Sequence, residues 1–197
     1  HELNTPLASF RLGLETLARH ELEPSQRGQF LGRMSEDLDR LERTVVQVLS
    51  AARAEEALKS RAQRDEVELQ TLLADNIKEL RERHHLPDES IRVDNARPLR
   101  VRGDAAELGL VFRNLFENAV KYSDQPVQIR VGIEEVSDGR VRVEISDQGI
   151  GIPKQELRRI FRRFYRASRD VQRQVSGLGL GLFVVRTLLR KHGGRIV

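Results

Sequence analysis

The chain has 197 residues, 39% hydrophobic and 32% charged, enough for one large domain or two small ones with a polar surface. It contains no cysteine, which excludes disulfide scaffolds, thiolate zinc sites, thiol catalysis and iron–sulfur clusters. Lys plus Arg exceeds Asp plus Glu by 34 to 30, a formal charge of +4, but the signs alternate along most of the chain, so the excess reads as solvated surface and not as a nucleic-acid footprint. No apolar run approaches the ~20 residues that cross a bilayer, and no stretch has the layout of a signal peptide. The expectation is a cytoplasmic polypeptide without membrane contact of its own.

Residues 1–60 read as helix. Leu3, Leu7, Phe10, Leu14 and Leu17 recur at alternating spacings of 4 and 3, one apolar stripe. Pro24 breaks it, and Ser25 is the expected N-cap of a second helix. That helix carries Phe30, Met34, Leu38, Leu41, Val45, Val48 and Ala52. Two helices cannot enclose both seams, but two copies of the hairpin can, so the pattern predicts a homodimeric four-helix bundle. Residues 61–66 lack an apolar anchor and read as a linker. From 67 to 197 the character changes to α+β, with one sheet covered by helices on one face. Strands are expected near Val67–Leu69, Ile91–Val93 and Leu99–Val101, and a hairpin of Val127–Val136 with Arg140–Ser146 turns at Ser137-Asp138-Gly139. A helix with Leu72, Leu73, Ile77 and Leu80 follows the first strand. Asp104 with Glu107 forms a capping-box pattern opening another. Further helices are expected near 153–161 and 180–192, with a strand starting at Arg195-Ile196-Val197.

Three segments have the residue types for binding chemistry. Asn114 and Asn118 stand four apart on one helix face, with Lys121 and Tyr122 at its end. Asn has poor helix propensity, so the pair is either a ligand set or two amides satisfied by backbone. Asp147-Gln-Gly-Ile-Gly-Ile-Pro153 closes a strand. Its carboxylate either reads an exocyclic amine, as adenine presents, or heads an ordinary turn. Ser176-Gly-Leu-Gly-Leu-Gly-Leu182 is neither a dinucleotide fingerprint nor a Walker A loop. It is either a phosphate cradle at a helix start or a loop packed beneath one. The one basic cluster, Arg158 to Arg173, holds seven arginines.

Together and in this order the motifs resemble the ATP-binding domain shared by sensor histidine kinases, DNA gyrase, Hsp90 and MutL-type proteins, and most closely the histidine kinases. Asn114-Leu-Phe-Glu-Asn-Ala-Val-Lys-Tyr-Ser123 resembles their N box, Asp147–Pro153 the G1 box, Ile160-Phe-Arg-Arg-Phe-Tyr-Arg166 the F box and Gly177–Leu182 the G2 box. His1-Glu-Leu-Asn-Thr-Pro-Leu7 resembles the H box, with Asn4 where Lys or Arg is usual. Such a member continues its first helix upstream of the acceptor histidine, so the sequence reads as part of a longer chain, one compatible with a membrane anchor.

The resemblance implies the following roles. His1 is the phosphoacceptor that attacks the γ-phosphorus of ATP, and Glu2 holds its tautomer. Asn118 coordinates Mg²⁺, supported by Asn114; Lys121 meets a phosphate and Tyr122 flanks the nucleotide. Asp147 reads the adenine amine, and Gly149 and Gly151 shape that wall. Gly177, Gly179 and Gly181 cradle the phosphates. A cationic lid spans roughly Phe164 to Ser176, with Arg163 and Arg166 as γ-phosphate contacts. Thr5, three residues after Glu2, positions water for dephosphorylating a response regulator. The implied protein is a homodimeric histidine kinase that passes its phosphoryl group to an Asp of a receiver domain. The alternatives are a gyrase/Hsp90/MutL-type ATPase, which needs a catalytic acid where Asn114 stands, and an inactive docking scaffold. His20, His84, His85 and His192 read as structural or surface residues.

Overall fold

The computed structural model describes residues 4–19, 23–57, 65–94, 97–136, 139–167 and 177–197. The chain divides into two compact units, His1–Ala52 and Arg53–Val197. In the first, α1 (Asn4–Arg19) and α2 (Pro24–Ala57) are the two expected helices. The expected cap is corrected. Pro24 is itself the first helical residue, where its missing N–H has no helical partner to lose. Glu23 stands before it, and its backbone N–H donates to Gln26 Oε1 at 3.3 Å, the reach-back half of a capping box.

The apolar stripe of α2 divides between two faces. Met34, Thr44 and Ala51 are buried, and a methyl group added at Gly13 of α1 would lie 3.0 Å from Met34 Cγ and Sδ. Leu7, Leu14, Leu38, Val45 and Val48 stay exposed, Leu38 at 55%. Met34 is thus covered by α1, while an apolar row of the hairpin stays in water.

The second unit starts within the end of α2 and continues with β1 (Asp65–Glu68), two residues earlier than expected, and α3 (Leu69–His84). A short 3₁₀ turn leads into β2 (Ile91–Asp94), followed by β3 (Arg100–Gly103), α4 (Ala105–Tyr122), β4 (Ile129–Val136), β5 (Arg140–Asp147) and α5 (Gly181–Lys191). The expectation of a single sheet is corrected among the described residues. β1 pairs antiparallel with β3, while β2, β4 and β5 form a separate ladder, parallel at β2–β4 and antiparallel at β4–β5. β3 spends its pairing on β1 and has none with β2. Ile129, Val131 and Ile133 of β4 point into the core against Leu73 and Ile77 of α3 and Phe112 and Phe116 of α4. Arg130 and Glu134 alternate outward.

The helix expected near 153–161 is a chain of turns. Glu156 N–H donates to Pro153 O at 2.8 Å, Arg159 N–H to Glu156 O at 2.7 Å and Arg162 N–H to Arg159 O at 2.8 Å, each three residues back. A helix here lacks an apolar face to hold it. Ile160 is buried, but Leu157 and Phe164 are 45% and 57% exposed. Arg195–Val197 lie outside any strand, unlike the expected strand start.

α4 starts at Asp104, whose carboxylate accepts from Glu107 N–H at 3.0 Å. The other half of the expected box does not form. Glu107 instead holds Lys191 Nζ at 2.6 Å, and Asp104 N–H donates to His192 Nε2 at 3.1 Å. His192 Nδ1 in turn sits 2.9 Å from Leu188 O. These largely buried contacts fasten the start of α4 to the end of α5.

Candidate functional site

The polar residues of α4 form a row along its second half, and the main chain entering α5 lies against them. A methyl group added at Gly181 would fall 2.9 Å from Asn114 Oδ1 and 3.8 Å from Asn118 Nδ2. One added at Gly177 would fall 2.6 Å from Lys121 Nζ. A side chain at either position would displace the polar group it meets, so backbone and polar row lie in close approach here. Gly179 has φ +68° and packs against the carbonyl of Tyr165. The segment at the start of α5 is thus a backbone wall facing two amides and an ammonium.

The backbone-satisfied reading of Asn114 holds for one end of its amide. Nδ2 donates to Leu110 O at 2.8 Å, the backbone satisfaction of a mid-helix Asn. Its oxygen faces Gly181.

Asp147 ends β5 and lies beside the C-terminus of α4. Its Oδ1 accepts from Gly149 N–H at 2.8 Å, so the residue does head a turn. That bond occupies one carboxylate oxygen. The turn is fastened to α4 by Ile150 N–H donating to Tyr122 O at 3.2 Å and by an antiparallel bridge between Ser123 and Gly149. An added methyl at Gly149 would collide with Tyr122 O. Gly151 has φ +66° with open space around it.

Lys121 Nζ stands 5.3 Å above the Tyr122 ring centroid, within cation–π range. Burial pushes the Tyr122 hydroxyl above its ordinary range, and the positive charge of Arg166 works against that rise. Arg166 is therefore within electrostatic reach of the end of α4. Arg163 is engaged elsewhere: it pairs with Glu55 at 3.2 Å and lies 4.9 Å from the Phe164 ring centroid. Phe164 itself has φ +61°, a left-handed conformation uncommon for a side chain of its size.

The structure thus brings together Asn114, Asn118, Lys121, Tyr122, Asp147, Gly149, Gly177 and Gly181, with Arg166 near the same helix end, and leaves Arg163 turned to Glu55. His1 and Glu2 lie outside the described residues. Thr5 is within α1, and only its backbone is described. Of the expected lid, residues 168–176 lie outside the described residues. Sequence reasoning gave no role to Ser123 or Ile150, which carry the junction between α4 and the Asp147 turn. The only signal for Ser123 was its place directly after Tyr122.

Among the described residues no three His, Asp or Glu side chains gather as a metal cage. The row instead offers neutral amide oxygen beside an ammonium. That donor set fits Mg²⁺ bound mainly through the oxygens of a phosphate ligand, which needs few protein ligands of its own.

Residues 1–57 match the family described as His Kinase A (phospho-acceptor) domain. Residues 103–197 match the histidine kinase-, DNA gyrase B- and HSP90-like ATPase family. Over its whole length the chain is 30% identical to the sensor histidine kinase WalK of Bacillus subtilis (strain 168), of which it covers 32%. It is 32% identical to the signal transduction histidine-protein kinase/phosphatase MprB of Mycolicibacterium smegmatis, again over its whole length, and covers 39% of that protein. The solved structure of a mycobacterial sensor histidine kinase MprB superposes with a TM-score of 0.57 at 30% identity, covering 66% of this chain and 80% of that one. The chain therefore spans about a third to two-fifths of the length of these two curated relatives.

Proposed function

This chain belongs to the sensor histidine kinase family, and on that premise we propose that it binds ATP with Mg²⁺ between α4 and the glycine segment and transfers the γ-phosphoryl group to His1. The observation that carries the reading is the close approach of Gly177 and Gly181 to Lys121 and Asn114. Backbone amides, an ammonium and two carboxamides converge where anionic oxygens need donors and neutral ligands. Asn118 would hold Mg²⁺, which offsets negative charge on the phosphates when bound. Lys121 and the backbone of 177–181 orient the phosphates, and Asp147 accepts from the adenine amine at the other end. Arg166, near Tyr122, is the arginine best placed to reach the phosphates.

Phosphoryl transfer is mostly positioning and charge stabilisation. The imidazole of His1 must be neutral to attack, and Glu2 holds the proton on its other nitrogen. The exposed row of Leu7, Leu14, Leu38, Val45 and Val48 supports a homodimer, since a second copy would cover it. The acceptor after His1 is an Asp of a response-regulator receiver domain. Thr5 orients water to remove the phosphoryl group again, a reading supported by the kinase/phosphatase MprB among the relatives.

The test is incubation with ATP labelled at the γ-phosphorus. The expected product is protein-bound label that is lost in acid, kept in alkali and absent from His1→Ala. Acid-stable label, or released phosphate without labelled protein, would refute the assignment.

A further inference from the structure

A buried polar cluster joins the start of α4 to the end of α5, at the opposite ends of these helices from the nucleotide site. The two helices run antiparallel: the start of α5 meets Asn114 and Asn118 in the second half of α4, and its end meets Asp104 and Glu107. His192, with its side chain 6% exposed, is the centre of the cluster. A backbone carbonyl only accepts, so the contact of Nδ1 with Leu188 O at 2.9 Å places the ring proton on Nδ1. Nε2 is then the acceptor for Asp104 N–H at 3.1 Å. In this arrangement the ring is neutral and both of its nitrogens are spent on backbone.

A second partner stands beside it. Glu107 Oε2 lies 3.7 Å from His192 Nε2 and is buried without a hydrogen-bond partner among the described residues, while the other oxygen holds Lys191 Nζ at 2.6 Å. A buried carboxylate oxygen left without a donor is uncommon. A proton taken from solvent at Nε2 would end the bond with Asp104 N–H, because a protonated nitrogen cannot accept, and would supply the donor that Oε2 lacks. The charged groups around the ring are Asp104 and Glu107 at the start of α4 and Lys191 of α5. β3 meets the ring at Gly103, where an added methyl would fall 2.9 Å from His192 Cδ2, and the adjacent Arg102 is exposed.

We infer that His192 is a proton-dependent positioning residue for the nucleotide site. Neutral, it fastens the end of α5 to the N-cap of α4; charged, it turns to Glu107 and the helix end shifts. The glycine wall leads into the start of that same 11-residue helix, so a shift at its end changes the approach of Gly181 to Asn114. Nucleotide binds more weakly when the ring is charged, and by linkage bound nucleotide favours the neutral ring. The inference rests on the nucleotide site proposed above and adds regulation of it by pH.

The test is calorimetric titration of the whole chain with ADP between about pH 8 and about pH 5.5, the range in which histidine changes charge. His192→Gln keeps an acceptor for Asp104 N–H and cannot gain a charge, so its profile reports only the titration of the nucleotide and of the other histidines. The parent's affinity should fall about fivefold further than that at the acidic end, a coupling at the lower end of those between linked sites. Glu107→Gln, which removes the carboxylate that receives the charged ring, should push the fall to more acidic pH. In the parent, the NMR signal of the His192 ring should change in step with the affinity. A merely structural role would weaken binding in His192→Gln equally at every pH and leave the two profiles parallel, and that result overturns the inference. So does a His192 ring signal that stays constant across the range, a result that needs no variant. A parent that binds no ADP at any pH overturns the nucleotide site itself.

Discussion

Gly149→Ala is a severe test of the junction between α4 and the Asp147 turn. The new methyl would overlap the Tyr122 carbonyl oxygen and lie 2.8 Å from Asp147 Oδ1. Neither neighbour can yield freely. The carbonyl is main chain at the helix end and accepts from Ile150 N–H at 3.2 Å, while the carboxylate oxygen accepts from the N–H of Gly149 itself. Relief requires the turn to move off the helix, which breaks the Ser123–Gly149 bridge and the Ile150 hydrogen bond together. Overpacking of this kind costs about 1–3 kcal/mol, and a lost backbone hydrogen bond about 1 kcal/mol more. The expected destabilisation is about 2–4 kcal/mol, read from urea unfolding of the parent and the variant. ADP affinity should fall with it, because the turn carries Asp147. A variant within 0.5 kcal/mol of the parent, with unchanged ADP affinity, would refute the reasoning.

Asp147→Asn keeps the shape but can present a donor to a donor, so ADP binding should weaken by about 1–3 kcal/mol in calorimetry. An unchanged affinity removes Asp147 from the adenine wall. Replacing Leu38 and Val45 by Asp puts charges on the exposed row without touching the buried seam, and sedimentation should show a dimeric parent become monomeric. A parent already monomeric at micromolar concentration contradicts the bundle. Thr5→Ala should leave autophosphorylation largely intact and slow dephosphorylation of the regulator. Loss of both activities in step, or of neither, removes the water-positioning role.

Local signals were readable from the sequence wherever one stretch of chain decides its own structure. The Asp104 cap, the β4–β5 hairpin and the Asn114–Asn118–Lys121 row all depend on spacings of a few residues. What escaped were outcomes settled by distant partners. Glu107 gives up its reach-back bond for Lys191, and the Asp104 N–H it would have met goes to His192, each more than 80 residues away along the chain, a choice no local pattern encodes. The turns after Pro153 replaced a helix because only Ile160 found the core, and burial is a tertiary fact. The second helix began at Pro24 because a first-turn position tolerates proline, a rule that periodicity alone overlooks. At the site, motif order identified the glycine segment. That Gly181 and Gly177 confront Asn114 and Lys121 follows only from the packing of α5 on α4.

The central claim is that the α4 row and the glycine segment hold one Mg²⁺-linked nucleotide. Calorimetric titration of ADP with and without Mg²⁺, for the parent and for Asn118→Ala, tests it most directly. The account predicts that Mg²⁺ tightens binding in the parent and that Asn118→Ala loses this gain while keeping the Mg²⁺-free affinity. An Asn118→Ala protein with the parent's full Mg²⁺ gain would contradict it.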